Sequence, residues 1–84
     1  MFIHTIMTNI EKYNNAFVEG LEIPVEQVEG LTMEGCDKWD SIGQMSLIAV
    51  LEDAFGIELA PDEVMAFTSY AAGLDILKNH QIDL

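Results

Sequence analysis

The run Trp39-Asp40-Ser41-Ile42-Gly43-Gln44-Met45-Ser46-Leu47-Ile48-Ala49-Val50-Leu51-Glu52-Asp53-Ala54-Phe55-Gly56-Ile57-Glu58-Leu59 fixes one helix and both of its ends. Asp40 and Ser41 are both favoured N-caps. Gly56 is a C-terminal stop, because glycine enters left-handed backbone without a Cβ clash. The spacing predicts a helix from Asp40 or Ser41 to about Phe55, with Leu47, Ile48, Leu51, Ala54 and Phe55 on its buried face. Ile42, Met45 and Ala49 fall on another face at spacings of three and four. No charge interrupts the stretch from Ser41 to Leu51. A serine with no base beside it is a poor nucleophile. A helix N-terminus favours an anion. Ser41 therefore reads as a place to hang a phosphate, against the plainer reading of an ordinary helix cap.

The flanking segments also read as helices. Ile3, Ile6, Ile10, Tyr13 and Phe17 recur in steps of three and four, which marks one face of a first helix. Two starts compete. The apolar stripe argues for residues 2–19, whereas Thr8 with Glu11 three residues on forms a capping box. The longer helix is expected, with Gly20 as its stop and Pro24 blocking a restart. Residues 20–39 read as a long connection, punctuated by Gly20, Pro24, Gly30 and Gly35, with room for a short helical turn near Pro24 to Val28. Its apolar residues Leu21, Ile23, Val25, Val28 and Leu31 are expected to pin it to the core. Pro61-Asp62-Glu63 opens a short third helix that ends by Phe67, since proline suits the first helical position and acids suit the positive dipole end. Thr68 or Ser69 caps a last helix to about Asn79, with Tyr70, Leu74 and Leu77 inward. Gly73 in its middle predicts a close approach of another helix.

The 84 residues fit a single domain, 1–84, with a modest core. Fifteen acidic residues face three basic ones, for a formal net charge of −12. That balance disfavours nucleic acid and anionic membrane surfaces and favours a partner with a Lys/Arg patch. Crowded carboxylates are expected to raise one another's pKa. Stability should then fall as pH rises through those values, and salt or divalent cations should stabilise the fold. One cysteine, Cys36, excludes an internal disulfide and suits a reducing compartment. The first ten residues lack a basic n-region and have interrupted apolar residues. No signal peptide or membrane span is expected, and the cytoplasm is the default location.

Other chemistries find little support. Cys36 has no histidine near it in sequence, since His4 and His80 lie near opposite ends; it reads as a buried small apolar residue. One cysteine and two distant histidines give no zinc spacing. Asp37 and Asp40 hint at an EF-hand, but the glycine falls in the wrong place and Ile48 stands where a glutamate is needed. No catalytic residue and no metal ligand is assigned.

Taken together, Asp40-Ser41-Ile42 and the amphipathic helix after it resemble the acyl carrier proteins, whose motif is Asp-Ser-Leu at the same place. The interval from Ser41 to the helix-closing Phe55, 55 − 41 = 14, fits that family without a gap. Ile57-Glu58-Leu59, Pro61-Asp62-Glu63 and Phe67-Thr68-Ser69 resemble the family's third-helix region. The resemblance is good over residues 39–77 and compatible over 1–38. Trp39-Asp40-Ser41 with Gly43 resembles stand-alone carriers of specialised pathways. Carriers of fatty acid synthesis usually hold acidic residues early in the second helix, where this chain has Gly43 and Ser46.

The resemblance implies an all-α, small four-helix bundle with a long loop between helices 1 and 2 and a short third helix. It implies 4′-phosphopantetheine attached covalently to Ser41, with Asp40 beside it, and a monomeric carrier rather than an enzyme. The cargo would be an acyl or aminoacyl group held as a thioester. Implied partners are a phosphopantetheinyl transferase, a loading enzyme, and a downstream acyltransferase or synthase with a basic docking patch. Ile42, Met45 and Ala49 read either as an exposed apolar strip for partners or cargo, or as the border of the core. Asp40, Glu52, Asp53 and Glu58 read either as contacts for a basic partner or as solvated surface. Trp39 reads as core ahead of a partner contact. The alternative functions are an unmodified carrier-like adaptor that binds a basic partner through helix 2, and a small protein binding divalent cations.

Overall fold

Thr8 decides where the first helix begins. Its hydroxyl accepts the Glu11 amide at 3.2 Å, and the Glu11 carboxylate accepts the Thr8 amide at 2.9 Å. Thr8 itself is extended, at φ −69° and ψ 166°, so the helix starts at Asn9 and does not run back through Thr8. The capping box wins over the expected start at residue 2. The structure, a computed structural model, describes residues 7–84, so Ile3 and Ile6, which argued for the longer helix, lie outside the described residues. The order is α1 (Asn9–Leu21), a 3₁₀ turn (Val25–Gln27), α2 (Ser41–Phe55), α3 (Pro61–Ala66) and α4 (Tyr70–Asn79). Among the described residues the β structure amounts to one isolated antiparallel bridge, Thr32 to Ser69.

The stop of α1 is also displaced from the expected one. The helix runs through Gly20 and ends where Glu22 turns left-handed at φ 57°. Gly20 has a different task. A Cβ there would lie 2.6 Å from Leu47 Cα and 2.9 Å from Leu47 N, so only glycine lets the two helices touch backbone to backbone. At one end of this contact Leu21 reaches Gly43. At the other the Lys12 ammonium stands 5.8 Å from the Phe55 ring centre. α1 and α2 are therefore antiparallel.

Tyr13, Ala16, Phe17 and Leu21 are buried at helical spacing and meet Leu47, Ile48 and Leu51 of α2. Burying each such Leu, Ile or Phe side chain contributes roughly 1.5–3 kcal/mol. Phe17 stands edge-on to Tyr13 at 5.1 Å and to Trp39 at 5.4 Å between ring centres. The Tyr13 hydroxyl donates to the Tyr70 carbonyl at 2.6 Å, and the Tyr70 hydroxyl donates to Asn14 Oδ1 at 2.7 Å. Burial pushes both phenols above their ordinary pKa, Tyr13 the further. On α4, Ser69 is the cap, and its hydroxyl accepts the Ala72 amide at 3.0 Å. Gly73 is a close approach as expected, though to side chains: a Cβ would collide with the Tyr13 hydroxyl and the Phe67 ring.

The long connection is held at several points. Ile23 and Val28 are buried, and Leu31 and Met33 pack on the core. The Met33 amide donates to the Thr68 carbonyl at 2.9 Å, and the Tyr70 amide donates to the Leu31 carbonyl at 2.8 Å. Val25 departs from expectation and is exposed. Ala54 is exposed too, and Phe55 and Leu74 are half-buried; each lies one helical step off the centre of its apolar face. Cys36 is half-buried rather than buried.

α3 is built differently. None of its six residues is buried. Leu59 before it and Phe67 after it are the apolar anchors. At its start Glu63 accepts the Ala60 amide at 2.9 Å and takes the His80 Nε2–H at 2.9 and 3.1 Å. A carboxylate only accepts, so the imidazole hydrogen must be on Nε2. The expected upward drift of carboxylate pKa is reversed at two positions. The Thr8 amide and hydroxyl hold Glu11 below its ordinary value, and the Ala60 amide, followed by His80, does the same for Glu63. Hydrogen bonds to the charged form outweigh desolvation there.

Candidate functional site

Ser41 is the first residue of α2 and is exposed. It is not the cap. Asp40 is extended at φ −97° and ψ −166°, and its Oδ1 accepts the Gly43 amide at 2.8 Å. The Asp40 carbonyl then takes the first helical bond, from the Gln44 amide at 2.8 Å. Capping therefore makes no demand on the Ser41 hydroxyl. The amides of Ser41 and Ile42 precede that first bond and stand at the positive end of the α2 dipole.

The turn that carries Ser41 is fixed from both sides. Trp39 is 2% exposed and wedged against Phe17 and Phe67, as its core reading required. Gly43 presses on the chain just before the serine, where a Cβ would collide with the Lys38 carbonyl. The Gln44 side chain spans the turn. Its Oε1 accepts the Trp39 indole N–H at 2.6 Å, and its Nε2 donates to the carbonyls of Val64 at 2.8 Å and Phe67 at 3.1 Å.

The structure gathers Asp40, Ser41, Ile42 and Met45 at one end of the molecule. Ile42 is 79% and Met45 74% exposed, so neither borders the core. Ala49 and Asp53, also exposed, continue the same stripe down α2 at steps of four. Glu52 and Glu58 lie at the far end. Glu52 is half-buried, and its carboxylate accepts the Leu59 amide at 2.9 Å, which ties down the connection to α3. Glu58 is exposed. One residue with no place in the sequence reading belongs beside the serine: Gln44, whose side chain ties the turn to α3. Gln44 carried one available signal, as the sole amide side chain in the uncharged stretch 41–51.

A groove of about 500 Å³ opens between the start of α1 and the end of α4, lined in part by Ile10, Leu74, Lys78 and Ile82. Because α1 and α2 are antiparallel, it lies at the opposite end from Ser41. Among the described residues no three metal-ligating side chains converge, and no helix is long and apolar enough to cross a membrane.

Residues 39–75 match the family model described as the phosphopantetheine attachment site. This segment is similar to phosphopantetheine-attachment domains. Together with the helical fold, the match is consistent with the acyl carrier protein family. Such a domain is the site where 4′-phosphopantetheine is attached covalently, and domains of this kind are typically carriers rather than catalysts. A search of curated proteins found no match. The residues of the matched segment suit the group. An exposed hydroxyl, free of the capping role, stands beside helix-end amides that favour a phosphodiester.

Proposed function

We propose that Ser41 is the attachment point and that the chain carries an acyl or aminoacyl group as a thioester on the attached arm. It delivers this cargo to partner enzymes of a lipid, polyketide or other specialised biosynthetic pathway. The observation that carries this reading is the exposed Ser41 hydroxyl, released from capping by Asp40, at the N-terminus of α2 within the matched segment.

Ser41 needs no activation from its own chain. A phosphopantetheinyl transferase supplies the base and the metal. The Ser41 oxygen forms a new P–O bond with coenzyme A, its pyrophosphate bond breaks, the nucleotide half leaves with the electron pair, and the transferase base takes the hydroxyl proton. The arm contributes a thiol, and the carrier contributes effective concentration at successive enzymes. A loading enzyme and a downstream acyltransferase or synthase dock along α2, over Ile42, Met45 and Ala49. Asp53 and Glu58 face basic groups on those partners. The absence of charge from Ser41 to Leu51 argues for partners other than those of standard fatty acid synthesis. The carrier works as a monomer in the cytoplasm.

Incubation with coenzyme A and a broad-specificity transferase tests the reading. Intact mass should rise by one phosphopantetheine per chain, and Ser41→Ala should abolish the rise. No gain in the unaltered protein overturns the proposal and leaves an unmodified adaptor.

A further inference from the structure

We propose that Gln44 is the positioning residue of the Ser41 site: its amide locks the serine turn to the C-terminal end of α3. This rests on Ser41 being the attachment point. A side-chain amide has one accepting oxygen and two N–H donors. In Gln44 the oxygen is engaged by the Trp39 indole, and the nitrogen by the carbonyls of Val64 and Phe67. The orientation is determined by these partners. A flipped amide would set Nε2 against the indole N–H and Oε1 against two carbonyls.

The consequence lies in where the partners stand. Trp39 precedes Ser41 by two residues and Gln44 follows it by three. The strut between them closes the serine turn on itself. Trp39 is seated on Phe17 and Phe67, so the turn is referenced to the core. Val64 and Phe67 are where α3 ends: the Val64 carbonyl accepts the Phe67 amide at 3.3 Å as well as Gln44 Nε2, and the Phe67 carbonyl lies just beyond the last turn. The same amide therefore satisfies α3 and orients the turn. Glutamate lacks the two donors and would put negative charge against two carbonyls. An aliphatic side chain would leave the buried indole N–H unpaired.

The test measures transfer of phosphopantetheine from coenzyme A by a purified broad-specificity transferase, using Gln44→Ala, Trp39→Phe and the double variant, each shown to be folded by circular dichroism. A misdirected nucleophile loses turnover, not binding. In Gln44→Ala, kcat should fall about tenfold while KM for the carrier stays within about twofold. Trp39→Phe keeps an aromatic ring and removes the N–H; it should show part of the same loss and carries the test if Gln44→Ala does not fold. The double variant should be no slower than Gln44→Ala alone, because both remove one strut. Normal kcat in folded Gln44→Ala, a loss confined to KM, or additive losses would each overturn the assignment.

A second readout does not depend on modification. Trp39 is the sole tryptophan. Acrylamide should quench its emission more strongly in Gln44→Ala, and unchanged quenching overturns the clamp. Failure of the unaltered protein to accept the group counts against Ser41 as the attachment point, while the quenching result still decides whether the clamp exists.

Discussion

α1 and α2 touch backbone to backbone, with Gly20 on Leu47 and a row of buried side chains on either side. α3 itself has no buried residue; between its flanking apolar anchors Leu59 and Phe67 it is tied at both ends by polar groups, Glu63 with His80 at its start and Gln44 at its finish. One interface is secured by shape, the other by directed hydrogen bonds. Shape fails when volume changes. Directed bonds fail when a proton or a single polar atom changes. Ser41 stands where the two regimes meet, at the end of a packed helix and beside the end of a bonded one.

The largest expected effect lies in the packed half. Phe17→Ala should cost about 3–5 kcal/mol, read as a lower urea midpoint. Met65→Ala, a truncation of similar kind on exposed α3, should be near neutral; comparable losses would erase the distinction. Gly20→Ala comes next. Alanine is the better helix former by roughly 1 kcal/mol. The neighbour here is backbone that cannot yield, so the variant should still lose about 1–3 kcal/mol. A more stable variant would show that the helices can part.

Tyr13→Phe should follow, at about 1–3 kcal/mol, because the Tyr70 carbonyl loses its buried donor. The same pair gives a pH signature. Both phenols have folded pKa values above the unfolded one, so their contribution is complete below about pH 10 and is lost as pH rises beyond it. A urea midpoint that is flat into strong alkali would contradict this. The smallest effect belongs to α3. Glu63 has a lowered folded pKa, so its contribution is present above the unfolded carboxylate value, about 4.3, and fades as pH falls through the folded one. Exchange of the Ala60 amide, like that of the Thr8 amide held by Glu11, should quicken in acid before that of the buried turns of α1 and α2, and Glu63→Gln should remove the dependence at Ala60 alone. Simultaneous loosening of all helices would merge the two regimes into one.

What the sequence revealed follows the range of the interactions involved. The ends of α2, the proline at the start of α3 and the Ser69 cap depend on contacts within four residues, and all were legible. The start of α1 was legible in two conflicting ways. The stripe through Ile3 and Ile6 argued for length, and the reciprocal bonds of Thr8 and Glu11 prevailed. Gly20 carried the signature of a stop, but its contact with Leu47 joins residues far apart in the chain. Glu52 was one acid among many, and its bond to the Leu59 amide required the chain to turn back first. For the same reason the serine could be found in the sequence while Gln44 could not, since its partners on α3 lie 20 and 23 residues away.

Had Ser41 fastened its own helix, every esterification would undo a structural bond, and every cycle of loading and removal would tug at the scaffold. Here a neighbouring carboxylate does the fastening. An ester on that alcohol would leave this bond intact, so a decorated form would keep the framework of the bare one and differ chiefly in what hangs from it.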